Sequence, residues 1–271
     1  MKLSNAGKVV LVGAGKMGTA MAKGWLAAGL KPTELILVDP NPIAPVLKFV
    51  DEHGLSLVSS VPEEPTQVLV LAVKPQIMDG VLVSARDCVS QRTLVLSIAA
   101  GINLNTLSEG LGVDRIVRTM PNTPAQVGKG VSGAVAGSGV SSDDRALAEA
   151  LLQAVGTVAW FDNESGLDAL TAISGCGPAY VFLLVEALAA AGQEQGLDAE
   201  QAMALARQTV IGSAALMDAD PTDAGTLREN VTSPGGVTAA ALAVLMADDG
   251  MKPLMSRAVN AARKRNQELG A

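Results

Sequence analysis

Aromatic side chains are almost missing from this sequence: Phe, Trp and Tyr together make up 2% of 271 residues. Binding of single-stranded nucleic acid relies on such rings as stacking platforms. A formal charge of −7 and an isoelectric point near 4.8 also disfavour a phosphate backbone, so a nucleic-acid partner is excluded. Histidine is as scarce: the single copy, His53 in "DEHGL", reads as a polar turn residue. No His/Asp or Cys/His pairing is on offer for nucleophilic catalysis. The two cysteines, Cys88 and Cys176, are too few for a disulfide framework and too far apart for a metal cluster, so no metal is expected. Apolar runs such as "QVLVLAV" and "YVFLLV" fall short of the ~20 residues that span a bilayer. The N-terminus lacks the apolar core of a signal peptide. The expectation is a soluble cytoplasmic protein with no membrane partner.

What the chain has in quantity is small apolar residues. Hydrophobic residues make up 49%, and 28 glycines accompany them. Mean hydropathy is +0.33, which excludes disorder. Small residues suit close helix packing and close approach of backbone to a ligand.

The first half alternates apolar strand-like and helix-like segments. "KVVLVGAG", "ELILVD", "QVLVLAV", "TLVLSIAAG", "RIVRTMP" and "VSGAVAG" read as strands. "MGTAMAKGWLAAG", "IAPVLKFVDEHG", "MDGVLVSARDCV" and "SSDDRALAEALLQAVG" read as helices, the last with Ser141 and Asp144 in capping-box spacing. Apolar strands separated by helices indicate a parallel-rich sheet covered on both faces, an α/β Rossmann-like domain. After "TVAWFDNES" only helical periodicity remains, with Asp198 and Gln201 spaced as a second capping box. The expected division is residues 1–163 as a dinucleotide-binding domain and 164–271 as an all-α domain. That helical domain carries more apolar faces than its size can bury, so it is expected to pack against a second copy.

"VLVGAGKMGTAM" contains Gly13, Ala14, Gly15, Lys16, Met17 and Gly18 as a G-x-G-x-x-G fingerprint directly after the first strand. Gly13 permits the tight turn, Gly15 lets backbone approach a pyrophosphate, and Gly18 lets helix and strand pack closely. The helix start supplies unpaired N–H groups for the phosphates. Asp39, 21 residues after Gly18 at the end of the second strand, stands where a carboxylate would take the adenosine ribose. It repels a 2′-phosphate and leans the choice between NADPH and NADH toward NADH. Lys74, at the end of the third strand, is the nearest further cation.

"GAGKMG", "LAVKPQ", "SIAAG", "RTMPNTPA", "ISGCGPAY" and "ENVTSPGGVTAAAL" lie in order from Gly13 to Leu242, and together they resemble the pyrroline-5-carboxylate reductase family. The resemblance implies a Rossmann domain followed by a helical domain that dimerises, often into rings of dimers. It also implies NAD(P)H-dependent reduction of the cyclic imine L-1-pyrroline-5-carboxylate to L-proline. Carried over by position, Gly13 to Gly18, Ala72, Val73, Lys74, Pro75, Ile98, Ala99 and Ala100 meet the cofactor. Glu164, Glu229, Asn230, Ser233, Val237 and Thr238 meet the substrate. The Thr238 hydroxyl is the candidate catalytic group, bonding the ring nitrogen, while amides of Gly235, Gly236 and Val237 hold the substrate carboxylate. Glu164 either balances the cationic imine or orients the loop around it. The sequence departs from the family pattern at Cys176, where serine is usual, and at Val237, where alanine or threonine is usual. The loop "VDPNP" lacks the side chains that often select NADP(H).

Two other readings remain. A β-hydroxyacid dehydrogenase shares the plan but needs a helical-domain lysine, and none lies between Lys129 and Lys252. A non-catalytic dinucleotide-sensing dimer would have no need for "TSPGGVT".

Overall fold

The structure, a computed structural model, describes residues 2–270. It divides into two compact units: residues up to Gly175 with those from Arg263 on, and Cys176–Ala262 between them. In the first unit, β1 (Val9–Val12), β2 (Leu35–Val38), β3 (Ser56–Val58), β4 (Val68–Leu71), β5 (Leu94–Ser97), β6 (Ile116–Met120), β7 (Gly130–Ala136) and β8 (Gly156–Trp160) form one sheet. Their spatial order is β3-β2-β1-β4-β5-β6-β7-β8. All neighbours run parallel except β6 and β7, which pair antiparallel, with Thr119 opposite Ala134.

The strands of the sheet centre are apolar throughout because both faces are covered. Val9, Leu11, Val68, Val70, Leu94 and Leu96 point to one side, against Met21 and Trp25 of α1 (Lys16–Ala27) and Leu151 and Leu152 of α5 (Ser142–Gln153). Alternate residues Val10, Leu69, Leu71 and Val95 face the other side. There they meet Met78 and Leu82 of α3 (Met78–Ala85) and Leu107 and Leu111 of α4 (Leu104–Leu111). The indole N–H of Trp25 donates to the Leu151 carbonyl at 2.8 Å, which satisfies a buried donor and ties α1 to α5. Between β2 and β3 lies α2 (Ala44–His53), ended by Gly54 in the left-handed region at φ 61°. The expected strands and helices of this half are present. The sequence reading missed β3, α4 and β8, and the antiparallel turn of the sheet at β7.

From Glu164 the described chain is helical: α6 (Glu164–Leu170), a π-turn over Thr171–Gly175, α7 (Gly177–Glu194), α8 (Ala199–Ala219), α9 (Ala224–Asn230), α10 (Val237–Leu245) and α11 (Met251–Gly270). "SGCGPAY", improbable inside a regular helix, is resolved by that π-turn. Pro178 falls in the first turn of α7, where its missing N–H breaks no helical bond of α7. Within Cys176–Ala262, α7 packs on α8 through Ala189, Ala202 and Ala206, small side chains that let the helices approach closely. Phe182 and Leu183 remain 63% exposed, along with Val181, Leu184 and Leu188. The helical run Glu164–Glu194 is long and apolar enough to cross a membrane by length and composition, which the short runs seen in the sequence did not suggest.

The expected capping box of α5 is complete: the Ser141 hydroxyl accepts from the Asp144 N–H, and Asp144 accepts from the Ser141 N–H. Asp144 is buried and also carries a bidentate contact from Arg115. Burial raises its carboxyl, but the hydrogen bonds from Arg115 and Ser141 outweigh this and hold it below the ordinary aspartate value. A depressed carboxylate stabilises the fold above its unfolded pKa of about 3.9 and loses that contribution as pH falls through the folded value. Asp144→Asn is therefore expected to cost about 2 kcal/mol near neutral pH. The gap to wild type in thermal unfolding should close below about pH 4; a gap independent of pH would contradict the assignment.

Candidate active site

The cofactor residues expected from sequence all lie along the carboxyl edge of adjacent parallel strands. Gly13 follows β1, Asp39 follows β2, Ala72 follows β4, and Ile98 follows β5. Each strand end bonds its neighbour: Gly13 N–H to Val38 O at 2.8 Å, Ala72 N–H to Val12 O at 2.8 Å, and Ile98 N–H to Leu71 O at 3.0 Å. The chain passes from β1 toward β2 on one side and returns to β4 on the other. That reversal opens the crevice in which open α/β sheets bind ligands.

The three fingerprint glycines have different reasons to be glycine. Gly13 has φ +100°, and a Cβ there would sit 2.5 Å from the Ala72 carbonyl oxygen. At Gly18 a Cβ would lie 2.1 Å from the Gly13 carbonyl oxygen. Gly15 faces open space, with nothing within 4 Å of a Cβ, and it begins α1 with no side-chain cap. Free space over an uncapped helix start is what a pyrophosphate requires. A cavity of about 250 Å³ opens there, lined by Ala14, Gly15, Lys16, Thr19, Lys23 and Val46 among others. These residues fit a dinucleotide.

Asp39 is half-buried and already engaged: its Oδ2 accepts from Ala14 N–H at 3.2 Å and its Oδ1 from Asn41 N–H at 2.9 Å. The carboxylate thus braces the glycine turn. Val73, Lys74 and Pro75 continue from Ala72, with Lys74 exposed at the start of a short 3-10 turn. Ala99 is buried and Ala100 exposed on the loop after β5.

In the second unit, the stretch that precedes α10 is a tight turn on the surface. The Thr232 hydroxyl donates to Arg228 O at 2.6 Å, Gly235 has φ +68°, and Gly236 N–H closes onto Ser233 O at 3.0 Å. Of the three amides considered for a carboxylate, that of Gly236 is therefore turned inward. Gly236 caps α10 without a side-chain bond, which leaves the helix start open. Val237 is 91% exposed, and Ser233 and Thr238 are exposed on the same turn. Glu229 and Asn230 end α9, with Glu229 paired to Arg228 at 3.0 Å.

Residues 164–269 match the family model described as pyrroline-5-carboxylate reductase dimerisation. Residues 8–101 match the model described as NADP oxidoreductase, coenzyme F420-dependent. A pyrroline-5-carboxylate reductase of Arabidopsis thaliana is 39% identical over 97% of this chain and 95% of its own length. One of Pseudomonas aeruginosa is 38% identical, over 97% and 96%. The chain belongs to the pyrroline-5-carboxylate reductase family. The structure of the reductase from Coxiella burnetii superposes with a TM-score of 0.91 at 34% identity, covering 98% of this chain and 100% of that one. That of the Plasmodium falciparum reductase, with NADP bound, gives 0.81 at 33% identity, covering 97% and 98%.

Two residues that tie distant segments of this chain together were not evident from sequence. Asn122, in "RTMPNTPA", is buried and bridges two segments: its amide donates to Ser174 O at 3.0 Å and its carbonyl accepts from Val131 N–H at 2.8 Å. Ser174 O is the carbonyl that an N–H at position 178 would meet in a regular helix, and position 178 is proline. Asn122 supplies the missing donor. Arg118 of β6 pairs with Glu164 of α6 at 2.5 Å. The proline 56 residues beyond Asn122 was the only signal for the first, and nothing local announced the second.

The glycine geometry separates two substitutions. Gly15→Ala is expected to cost less than about 1 kcal/mol of stability, through the poorer helix start, and to weaken NADPH binding by about tenfold or more, since the new methyl enters the open space. Gly18→Ala should lower stability itself by about 2 kcal/mol. Calorimetry with fluorescence titration of NADPH checks both; equal destabilisation by the two would contradict the distinction.

Proposed function

We propose that this protein reduces L-1-pyrroline-5-carboxylate to L-proline with NADPH or NADH, the closing step of proline biosynthesis. The observation that carries this is its identity to pyrroline-5-carboxylate reductases along 97% of the chain. Bound NAD(P)H supplies the hydride, which is accepted by the carbon of the C=N bond while the nitrogen bears a proton. An iminium of this kind is already electrophilic, so orientation and fixed charge suffice. This agrees with a chain that has one histidine, held at the end of α2 by Phe49 O.

In this reading Gly13 to Gly18, Ala72 to Pro75 and Ile98 to Ala100 hold the dinucleotide along the sheet edge. The Thr238 hydroxyl bonds the ring nitrogen. Amides of Gly235 and Val237, in the field at the start of α10, hold the carboxylate. Asn230, Ser233 and Glu229 shape the same turn. Asp39 favours NADH, because a 2′-phosphate would meet a carboxylate fixed by two amide N–H groups. A β-hydroxyacid dehydrogenase reading has no lysine to serve as its acid–base group between Lys129 and Lys252.

Residues 164–271 serve as the dimerisation and substrate segment and 1–163 as the cofactor domain. A homodimer, further arranged as a ring of dimers, covers the exposed face of α7 carrying Phe182 and Leu183. We place the enzyme in the cytoplasm, where Cys88 and Cys176 stay as free thiols.

Oxidation of NADH and NADPH followed at 340 nm with the cyclic imine tests the reading; no turnover with either cofactor would end it. Thr238→Ala should lower kcat/KM by about a hundredfold while leaving NADH affinity unchanged. Equal loss of cofactor binding would make the threonine structural. Asp39→Ser is expected to shift the kcat/KM ratio toward NADPH by about tenfold, and an unchanged ratio would refute the repulsion argument.

A further inference from the structure

Glu164 opens α6, and one oxygen of its carboxylate, Oε1, accepts from two distant partners. The Arg118 Nη1 donates at 2.5 Å, and the Leu104 backbone N–H donates at 3.1 Å. Leu104 is the first residue of α4, so its N–H is one of the helix-start donors that no turn of the helix can satisfy. Asn103 caps the same helix locally by accepting from Thr106 N–H at 2.8 Å. Glu164 adds a second, tertiary cap from 60 residues away. The Arg118 side chain is 12% exposed and that of Glu164 33%, so the pair is shielded enough for its geometry to be held. Arg118 itself sits on β6 in register with Ser97, the last residue of β5.

These contacts bracket one short loop. Residues 98–103 leave β5, pinned at one end by the Ile98 N–H on Leu71 O. At the other end they are pinned by Glu164 through Leu104. Gly101 within it has φ +75°, and a cavity of about 270 Å³ flanks it, lined by Gly101, Asn103, Arg118, Glu164, Asp168 and Asn266 among others. Asn266 of α11 donates to Asp168 of α6 at 2.8 Å on the same wall. Ile98, Ala99 and Ala100 are the part of the loop assigned above to the cofactor. A carboxylate that accepts from an arginine and a backbone amide is a poor counter-ion for a substrate, since its charge is already matched.

We infer that Glu164 is a positioning residue for the reduction: it sets the 98–103 loop against the cofactor through the Leu104 N–H, with Arg118 holding the carboxylate in place. The inference rests on the assignment of Ile98 to Ala100 to the dinucleotide, and its test reads cofactor binding directly.

NADPH is titrated by fluorescence into the full-length oligomer without imine, and amide hydrogen exchange is followed over residues 98–104. Glu164→Ala removes both contacts. It should weaken NADPH by about tenfold, the loss of a charge-assisted hydrogen bond, with faster exchange at Leu104. KM for the imine at saturating NADPH should change by less than about twofold. Glu164→Gln keeps an acceptor of the same shape for Leu104 N–H and loses only the charge. It guards against misfolding of the alanine variant and should weaken NADPH by about threefold with near-normal stability. Adding Arg118→Met to Glu164→Ala should cost nothing further, because the two act through one contact. Unchanged NADPH affinity in folded Glu164 variants would overturn the inference, as would a raised imine KM with normal NADPH affinity, which would make Glu164 a substrate contact. If wild type binds NADPH but fails to reduce the imine, the proposed function falls and the positioning role is still decided by the titration.

Discussion

At the centre of the first unit, the main chain of Gly13 runs so close to the Ala72 carbonyl that a side-chain carbon would sit 2.5 Å from its oxygen. That contact joins the ends of β1 and β4, the two strands between which the chain reverses direction across the sheet. The Gly18 approach to the Gly13 carbonyl then sets the start of α1 directly behind the turn. Asp39 adds the third brace by accepting from Ala14 N–H. With the turn fixed from three sides, the open space over Gly15 becomes a site whose shape is set before any ligand arrives. Preorganisation of this kind lowers the ordering cost of binding a long, flexible dinucleotide.

The same economy extends to the chemistry. The cofactor brings the hydride and a protonated imine is already reactive, so the protein's task is placement and electrostatics. Its polar groups are arranged accordingly. The starts of α1 at Gly15 and of α10 at Gly236 carry no side-chain cap, while Glu164 and Asn122 tie segments together. Asn122 offsets the proline that starts α7, and Glu164 offsets an orphan amide at α4. Each buried donor or acceptor left unpaired there would cost about 1–3 kcal/mol.

Much of this was legible in the sequence because it is local. The fingerprint glycines, the apolar strands and the Ser141 capping box are read from residues within a few positions of one another. Misses follow from the opposite condition. β3 is three residues long, with Ser56 exposed. Nothing in "VSGAVAG" distinguishes an antiparallel strand from a parallel one, since that depends on which neighbour it finds. The Arg118–Glu164 pair joins residues 46 apart in sequence. Glu164 was singled out by resemblance, but its engagement with Leu104 and Arg118 became visible only with β6 and α6 in place. "SGCGPAY" gave the reverse case: its oddity was plain in sequence, and the π-turn that explains it was not.

Direct hydride delivery to the imine carbon is the claim on which the functional account turns. Reduction of pyrroline-5-carboxylate with NADPH and with NADH deuterated on the transferred position of the nicotinamide tests it most directly, with mass spectrometry of the proline formed. The account requires a single deuterium at proline Cδ with at least one of the two cofactors. Proline formed without label, or no proline with either cofactor, would contradict it.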